Sequence, residues 1–259
     1  MQPIRTINVT RYVTPLREGG SLPAIVEADD EGLYVLKFRG AGQGARALVA
    51  ELVAGEIARA LGLAVPELVL ADLDPDLART EPDPEIHALI HDSAVLNLAL
   101  DFLPGAVTFD PVVQRPAADL ASRIVWFDGF VTNVDRTARN TNMLMWHKRL
   151  WLIDHGATLY FHHSPGWESA AGRARGPFPA IKDHVLLRHA SSLREVDETL
   201  AALLTKDVLE RILAAVPDSW LKSDDAALSP SDVRAAYRDY LTGRLAAPRS
   251  FAEEALGAR

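Results

Sequence analysis

The stretch "NVDRTARNTNML", residues 133–144, gathers Asp135, Arg136, Arg139 and three Asn into one polar run, and "LIDHG", residues 152–156, follows with Asp154. Carboxylates and amides offer hard oxygen ligands, the type Mg²⁺ takes while phosphate oxygens and water complete its octahedron. The intervening "MLMWHKRLWLI" holds two apolar runs around His147, Lys148 and Arg149, the pattern of a β-hairpin. A turn over those three residues pairs Trp146 with Leu150 and carries Asn142 opposite Asp154, with Cα atoms roughly 4.5–5.5 Å apart. Asp135 then faces the same spot. Taken singly, Asp135, Asn140 and Asn142 are explained by Asx-turns and Asp154-His155-Gly156 by a tight turn. Taken together, on a ribbon with apolar flanks, they point to a site, because each buried polar group left unpaired costs about 1–3 kcal/mol.

A second group lies upstream. In "LYVLKF", strand alternation puts Tyr34, Leu36 and Phe38 on one face and Leu33, Val35 and Lys37 on the other, so Lys37 shares a face with aliphatic residues. A buried lysine needs a counter-charge. Glu51 and Glu56 of the following segment both offer one, and a helical wheel turns Glu56 inward. A Lys–Glu pair aimed at a polyphosphate is how kinases hold nucleotide charge; the alternative is a lysine whose stem lies on the strand and whose head reaches water. "REGGSLP", residues 17–23, supplies Gly19, Gly20 and Ser21, whose backbone amides and hydroxyl suit phosphate, or an ordinary hairpin turn. "GAGQG" places Gly40, Gly42 and Gly44 between strand and helix, but the third glycine comes one residue early for a dinucleotide-binding fingerprint.

The elements that position these residues follow from pattern. The first third alternates strand signals with turns, "TRYVTPL", "PAIVEAD" and "LYVLKF", as an antiparallel meander. "ARALVAELVAGEIARALG" is rich in Ala, Leu and Glu and is closed by Gly62, which predicts a helix. "PELVLADL" and "AVLNLALDFLPGA" read as strands, the latter running into a connector, and residues 72–94, with several Asp-Pro and Glu-Pro pairs, read as a surface excursion. A lobe boundary falls near Pro104 and Gly105. Beyond residue 117 the pattern is helical except for the hairpin and an irregular "HHSPGWESAAGRARGPFP" loop. "SLREVDETLAALL", "TKDVLERILAAV" and "SPSDVRAAYRDYLTGRL" predict three closing helices, the last two N-capped by Thr205 and by Ser229 or Ser231.

Composition narrows the chemistry. The 259 residues contain no Cys, which excludes disulfides, thiolate catalysis and Cys-built metal sites. A formal net charge of −8 gives no footprint for nucleic-acid binding, yet a few inward lysines or arginines suffice for a small anion. His87 and His91 lack the Glu of H-E-x-x-H, and His162 and His163 lack a third ligand. No serine-nucleophile elbow is present. With no signal-peptide pattern and no apolar run of membrane-spanning length, the expectation is a cytoplasmic protein.

In order, these features resemble a kinase. "FVTNVDRTARNTNML" is similar to the catalytic loop of atypical kinases, in which an Asp-Arg pair precedes an Asn followed by two apolar residues, as in phosphoinositide kinases and HipA-like kinases. "LIDHG" resembles the metal-binding Asp-Phe-Gly segment, with His155 in the aromatic position. "YVLKF", "ALVAELVAGEIARALGL" and "GGSLP" resemble the nucleotide-binding half of the HipA-like group, so the likeness runs from residue 19 to 160.

The resemblance implies an α+β, two-lobed protein-kinase-like fold: an antiparallel-sheet N-lobe with one main helix over residues 1–104 and a mostly helical C-lobe over 105–259. It implies ATP and Mg²⁺, transfer of the γ-phosphoryl group to a hydroxyl acceptor, Lys37 on the α and β phosphates, Asp135 as catalytic base, and Asn142 and Asp154 as metal ligands. It selects Glu51 as the partner of Lys37, since the family's Glu lies a fixed distance before a Gly-Leu, here Gly62-Leu63. Adenine is expected along Leu100, Asp101, Phe102 and Leu103. The Asp-to-Asn interval is two residues longer than usual, which keeps Asn140 as an alternative ligand, and the chain is shorter than toxin-type HipA proteins, so their partner and substrate do not carry over. The rival readings are a pseudokinase that only binds nucleotide, an AMP-transferring enzyme on the same fold, and a dinucleotide-dependent oxidoreductase.

Overall fold

Alternating burial along the early segments makes strands of them, and the strands close into a barrel. In the computed structural model, which describes residues 3–16, 22–42, 44–80, 83–223, 225 and 227–259, β1 (Thr6–Pro15), β2 (Ala24–Ala28) and β3 (Leu33–Lys37) pair antiparallel in sequence order. Helix α1 (Ala45–Ala60) follows, then β4 (Leu68–Asp72), a 3₁₀ turn over Pro75–Thr80, α2 (Pro84–Asp92) and β5 (Leu96–Asp101). The strand order is β1-β2-β3-β5-β4, with β4 returning to lie parallel to β1. A purely antiparallel sheet is therefore not what forms. The α1 crossover delivers β4 in the same direction as β1, and that one parallel pair abolishes both open edges.

The barrel interior is filled by Ile7, Val9, Val26, Tyr34, Leu36, Val69 and Ala99, all buried. Tyr34, Leu36 and Phe38 point inward as alternation predicts, and Lys37 lies on the other face. The residues between β4 and β5 are not a bare excursion: α2 forms there, started by Pro84 and capped by Asp83, whose carboxylate accepts the Glu85 N–H. Ile86 and Ile90 seal one end of the barrel core.

Helix α1 is buried nearly all round from Leu48 to Ala58, because it lies between the barrel and the helical half of the chain. Gly55 permits its close approach to β4, since a Cβ there would come within 2.6 Å of the Leu68 side chain. Gly62, at φ 76°, ends the helix in the left-handed conformation, with its N–H on Arg59 O and that of Leu63 on Ala58 O.

The second half opens with β6 (Val107–Thr108), α3 (Ala118–Phe130), β7 (Met143–Trp146) and β8 (Arg149–Leu152). β6 joins the β7–β8 hairpin as a third strand. The hairpin pairs Trp146 with Arg149, not with Leu150, so the register expected from sequence is off by one and Asn142 falls opposite Ile153. The reason is the turn: His147 and Lys148 both take positive φ, 47° and 62°, which makes a two-residue loop whose twist matches that of the strands.

Helices α4 (Leu193–Leu203), α5 (Lys206–Ala214), α6 (Pro230–Leu245) and α7 (Ser250–Ala258) complete the described chain. Thr205 caps α5, and Ser229, with Asp232, forms a capping box on α6. α7 was not foreseen in sequence; its Phe251 packs edge-on against Trp126 and close to Phe130 of α3. The "HHSPGWESAAGRARGPFP" segment also holds more order than a loop, with 3₁₀ turns over Tyr160–His163 and Trp167–Arg173. Among the described residues no helix is long and apolar enough to cross a membrane.

Candidate active site

Lys37 is the meeting point of three elements. Its Nζ lies 2.5 Å from Glu51 Oε2 of α1 and 2.6 Å from Asp154 Oδ1 just beyond β8. The Lys37 side chain is 13% exposed and that of Glu51 fully buried, while that of Asp154 is 47% exposed. Burial alone would lower the lysine pKa, but the charges of Glu51 and Asp154 outweigh it and raise the group above its ordinary value. Burial likewise opposes ionisation of Glu51, and Lys37 together with hydrogen bonding from His155 overcomes it and holds the carboxyl low. Glu56, the residue a helical wheel favours, is also buried but pairs with Arg59 at 2.9 Å.

The Asp135 loop forms the second group. Asp135 Oδ2 accepts from Asn140 Nδ2 at 2.8 Å and from Asn142 Nδ2 at 3.0 Å. Asn142, at φ 47°, and Asp154, at φ 54°, both leave extended geometry for the left-handed region, which short polar side chains tolerate. The off-by-one register therefore does not part them: Asn142 and Asp154 line the same open cavity of about 1430 Å³. Val35, Lys37, Asn140 and the connector Leu100, Asp101, Phe102 and Leu103 line it too. Asp101 and Phe102 spend their N–H groups on the carbonyls of Glu67 and Leu33.

The donor set suits a hard cation. Asn142 gives its amide nitrogen to Asp135, which directs its oxygen elsewhere, and half-exposed Asp154 is a carboxylate on the same cavity. Two protein oxygens with room for phosphate and water fit Mg²⁺, which is seldom caged by protein alone. Among the described residues no cluster of three or more His, Asp or Glu side chains forms such a cage.

A buried network behind the loop escaped the sequence reading. Asp128 of α3, fully buried, accepts from Arg136 Nε at 2.7 Å, from Asn133 Nδ2 at 2.7 Å and from His184 Nε2 at 2.8 Å. His184 Nδ1 accepts the Leu186 N–H, so the imidazole proton sits on Nε2. Arg136 continues to the carbonyl of Asn142. Asp128 thus fixes both ends of the Asp135 loop and ties it to the segment around His184. Burial raises its pKa, but Arg136 and His184 dominate and bring it down to about 2. The signal in the sequence was an Asp inside the apolar run "IVWFDGF".

Gly19, Gly20 and Ser21 lie outside the described residues. Gly40 and Arg39 direct their N–H groups to Ser93 Oγ and Asn97 Oδ1, so the described part of the glycine turn holds α2 and β5, and it does not line the cavity. His87 and His91 sit on the exposed side of α2. His162 is buried and bonds Tyr237 and His163, and burial keeps its pKa well below the ordinary value.

A sequence model of the HipA-like kinase family matches residues 9–244, a span that runs from within β1 to the last turn of α6. The chain belongs to the HipA-like kinase family. Among solved structures, the Helicobacter pylori proinflammatory kinase CtkA matches with a TM-score of 0.58 at 12% identity, over 99% of this chain and 98% of that one. The Golgi casein kinase with Mn and ADP bound matches at a TM-score of 0.48 and 11% identity, over 98% of this chain and 75% of that one. No curated protein sequence matches significantly. The likeness to CtkA shows a kinase fold, and the family assignment makes this chain a kinase-type phosphotransferase of mixed α+β architecture.

Proposed function

We propose that this kinase binds ATP with Mg²⁺ in the Lys37–Asp154 cavity and transfers the γ-phosphoryl group to a hydroxyl acceptor positioned by Asp135. The observation that carries the reading is convergence: the buried Lys37–Glu51 pair meets Asp154, 117 residues beyond Lys37 in sequence, and Lys37 and Asp154 line one cavity with Asn140 and Asn142, the two amide partners of the Asp135 carboxylate. On this reading residues 1–104 are the nucleotide-binding lobe and 105–259 the catalytic lobe.

Phosphoryl transfer asks for little covalent chemistry from the protein and much positioning and charge stabilisation. Lys37, kept cationic by its two carboxylates, takes up phosphate charge, and Glu51 holds it on the strand face that lines the cavity. Asn142 and Asp154 would hold Mg²⁺, whose charge would neutralise the phosphate oxygens. Asp135 accepts the proton of the attacking hydroxyl, and Asn140 and Asn142 aim its carboxylate. The aliphatic side of Val35 and the Leu100–Leu103 connector receive the adenine. With the N–H groups of Asp101 and Phe102 and the Leu103 carbonyl already engaged, the Leu103 N–H is left to read its edge.

ATP labelled at the γ or the α phosphate tests the reaction. Wild type is expected to pass γ-label to an acceptor protein or to itself, and Asp135→Asn to lose at least about 100-fold of that rate, within the range expected for a positioned acid–base group. Transfer of α-label instead would make the enzyme an AMP transferase, and ATP binding without transfer of either label would make it a pseudokinase.

A further inference from the structure

His155 occupies the position where the kinase segment ordinarily carries an aromatic residue, yet its surroundings are polar on one side. Its backbone N–H donates to Glu51 Oε2 at 2.8 Å, and its ring Nδ1 lies 3.3 Å from Glu51 Oε1. The side chain is wholly buried, its ring meets Phe127 of α3 edge-on with centroids 5.8 Å apart, and Nε2 has no hydrogen-bond partner.

These contacts divide the work on the Glu51 carboxylate. Lys37 reaches only Oε2, which by itself leaves the carboxylate plane free to turn; His155 brackets both oxygens and fixes it. An ionised carboxylate only accepts, so the ring contributes by carrying its proton on Nδ1. Nε2 is then a bare acceptor in an apolar setting, an arrangement that costs stability and that a phenyl ring would avoid. A hydrogen-bonding function explains why an imidazole stands there.

We propose that His155 is a positioning residue: by donating to both oxygens of Glu51 it holds the Lys37–Glu51 pair in place, and it couples the Asp154 segment to α1 by hydrogen bonds. The inference rests on the ATP-binding reading for its effect on turnover, but not for the tautomer it requires.

Two variants separate hydrogen bonding from packing. His155→Phe keeps the ring against Phe127 and removes the donor. His155→Asn places its amide nitrogen where Nδ1 stood and removes the ring. If His155 positions Glu51, His155→Phe loses about 10- to 100-fold in ATP turnover, the range typical when a residue orienting an active-site group is lost, and His155→Asn recovers about tenfold of it. If His155→Phe is the more active of the two, the residue acts by packing and the proposal falls.

The ring nitrogens of wild type, read by ¹⁵N NMR of histidine-labelled protein, give an answer that does not depend on turnover or on either variant folding. Protonation at Nδ1 supports the proposal; a neutral ring with its proton on Nε2 overturns it. A wild type that turns over no ATP but shows Nδ1–H would defeat the ATP reading and leave the His155–Glu51 bond standing.

Discussion

At the scale of single residues, the site is built from charges that burial would otherwise suppress. Lys37, Glu51 and Asp128 each lie where desolvation favours the neutral form, and each stays charged because a partner sits within hydrogen-bonding distance. Asp128 turns this into a pH dependence of stability. Its folded pKa of about 2 lies below the reference value of 3.8, so its contribution is complete above pH 3.8 and is lost as pH falls from there through about 2. That shift amounts to about 2 kcal/mol. Asp128→Asn is expected to remove this portion of the acid sensitivity in urea titrations between pH 4 and 2. At neutral pH it should cost about 3–5 kcal/mol, because Arg136 stays buried without its counter-charge. Unchanged stability at pH 7 would mean that the network does not hold the loop.

Residue types alone exposed much of this site. An Asp, two Arg and three Asn in one run, a lysine on an aliphatic strand face and an Asp before His-Gly were legible as chemistry. The choice between Glu51 and Glu56 was not, because α1 is buried on every side and the apolar periodicity that a helical wheel uses has no exposed face to contrast with. Only the family resemblance favoured Glu51. Asp128 was missed for a related reason: its partners lie 5, 8 and 56 residues away, and no local spacing links them.

At the scale of elements, the β7–β8 hairpin shows how two residues that do not pair across a ladder can still share a cavity. A one-residue slip normally moves a side chain to the opposite face. Here Asn142 and Asp154 lie just outside the ladder, and their left-handed backbone re-aims them toward one cavity. The sequence carried no Asn-Gly signal at the turn, and His147 and Lys148 hold positive φ at a conformational cost. Replacing them by Asn-Gly is expected to raise stability by about 1 kcal/mol in thermal unfolding, because each L-residue outside glycine is disfavoured in that region. The same change should leave nucleotide affinity as it was. A loss of stability would show that the turn is held by contacts of His147 and Lys148 that outweigh the backbone term.

At the scale of the molecule, α1 is the element that joins the two halves of the chain. Its buried residues belong to the same core as α3, α4, α5 and α6, while the barrel keeps a separate core of its own. Glu51 on that helix reaches Lys37 of the barrel and His155 beyond β8, so the ion pair bridges the two cores. The net charge of −8 is no obstacle to a polyanionic ligand, because the field in the cavity is set by Lys37 and its neighbours and not by the total. The order of elements from β1 to α6 was largely readable in sequence. α2 was hidden by proline-rich flanks that serve as its start, and closure of the barrel depends on a β1–β4 pairing that local pattern does not encode.

The central claim, that the cavity is a metal–nucleotide site, is tested most directly by calorimetric titration of ATP with and without Mg²⁺ into wild type and Asp154→Ala. Mg²⁺ is expected to tighten ATP binding to wild type at least about tenfold, a gain of about 1.4 kcal/mol, and the variant to lose that gain while still binding the nucleotide. Equal tightening by Mg²⁺ in both proteins, or no binding of ATP to wild type under either condition, would contradict it.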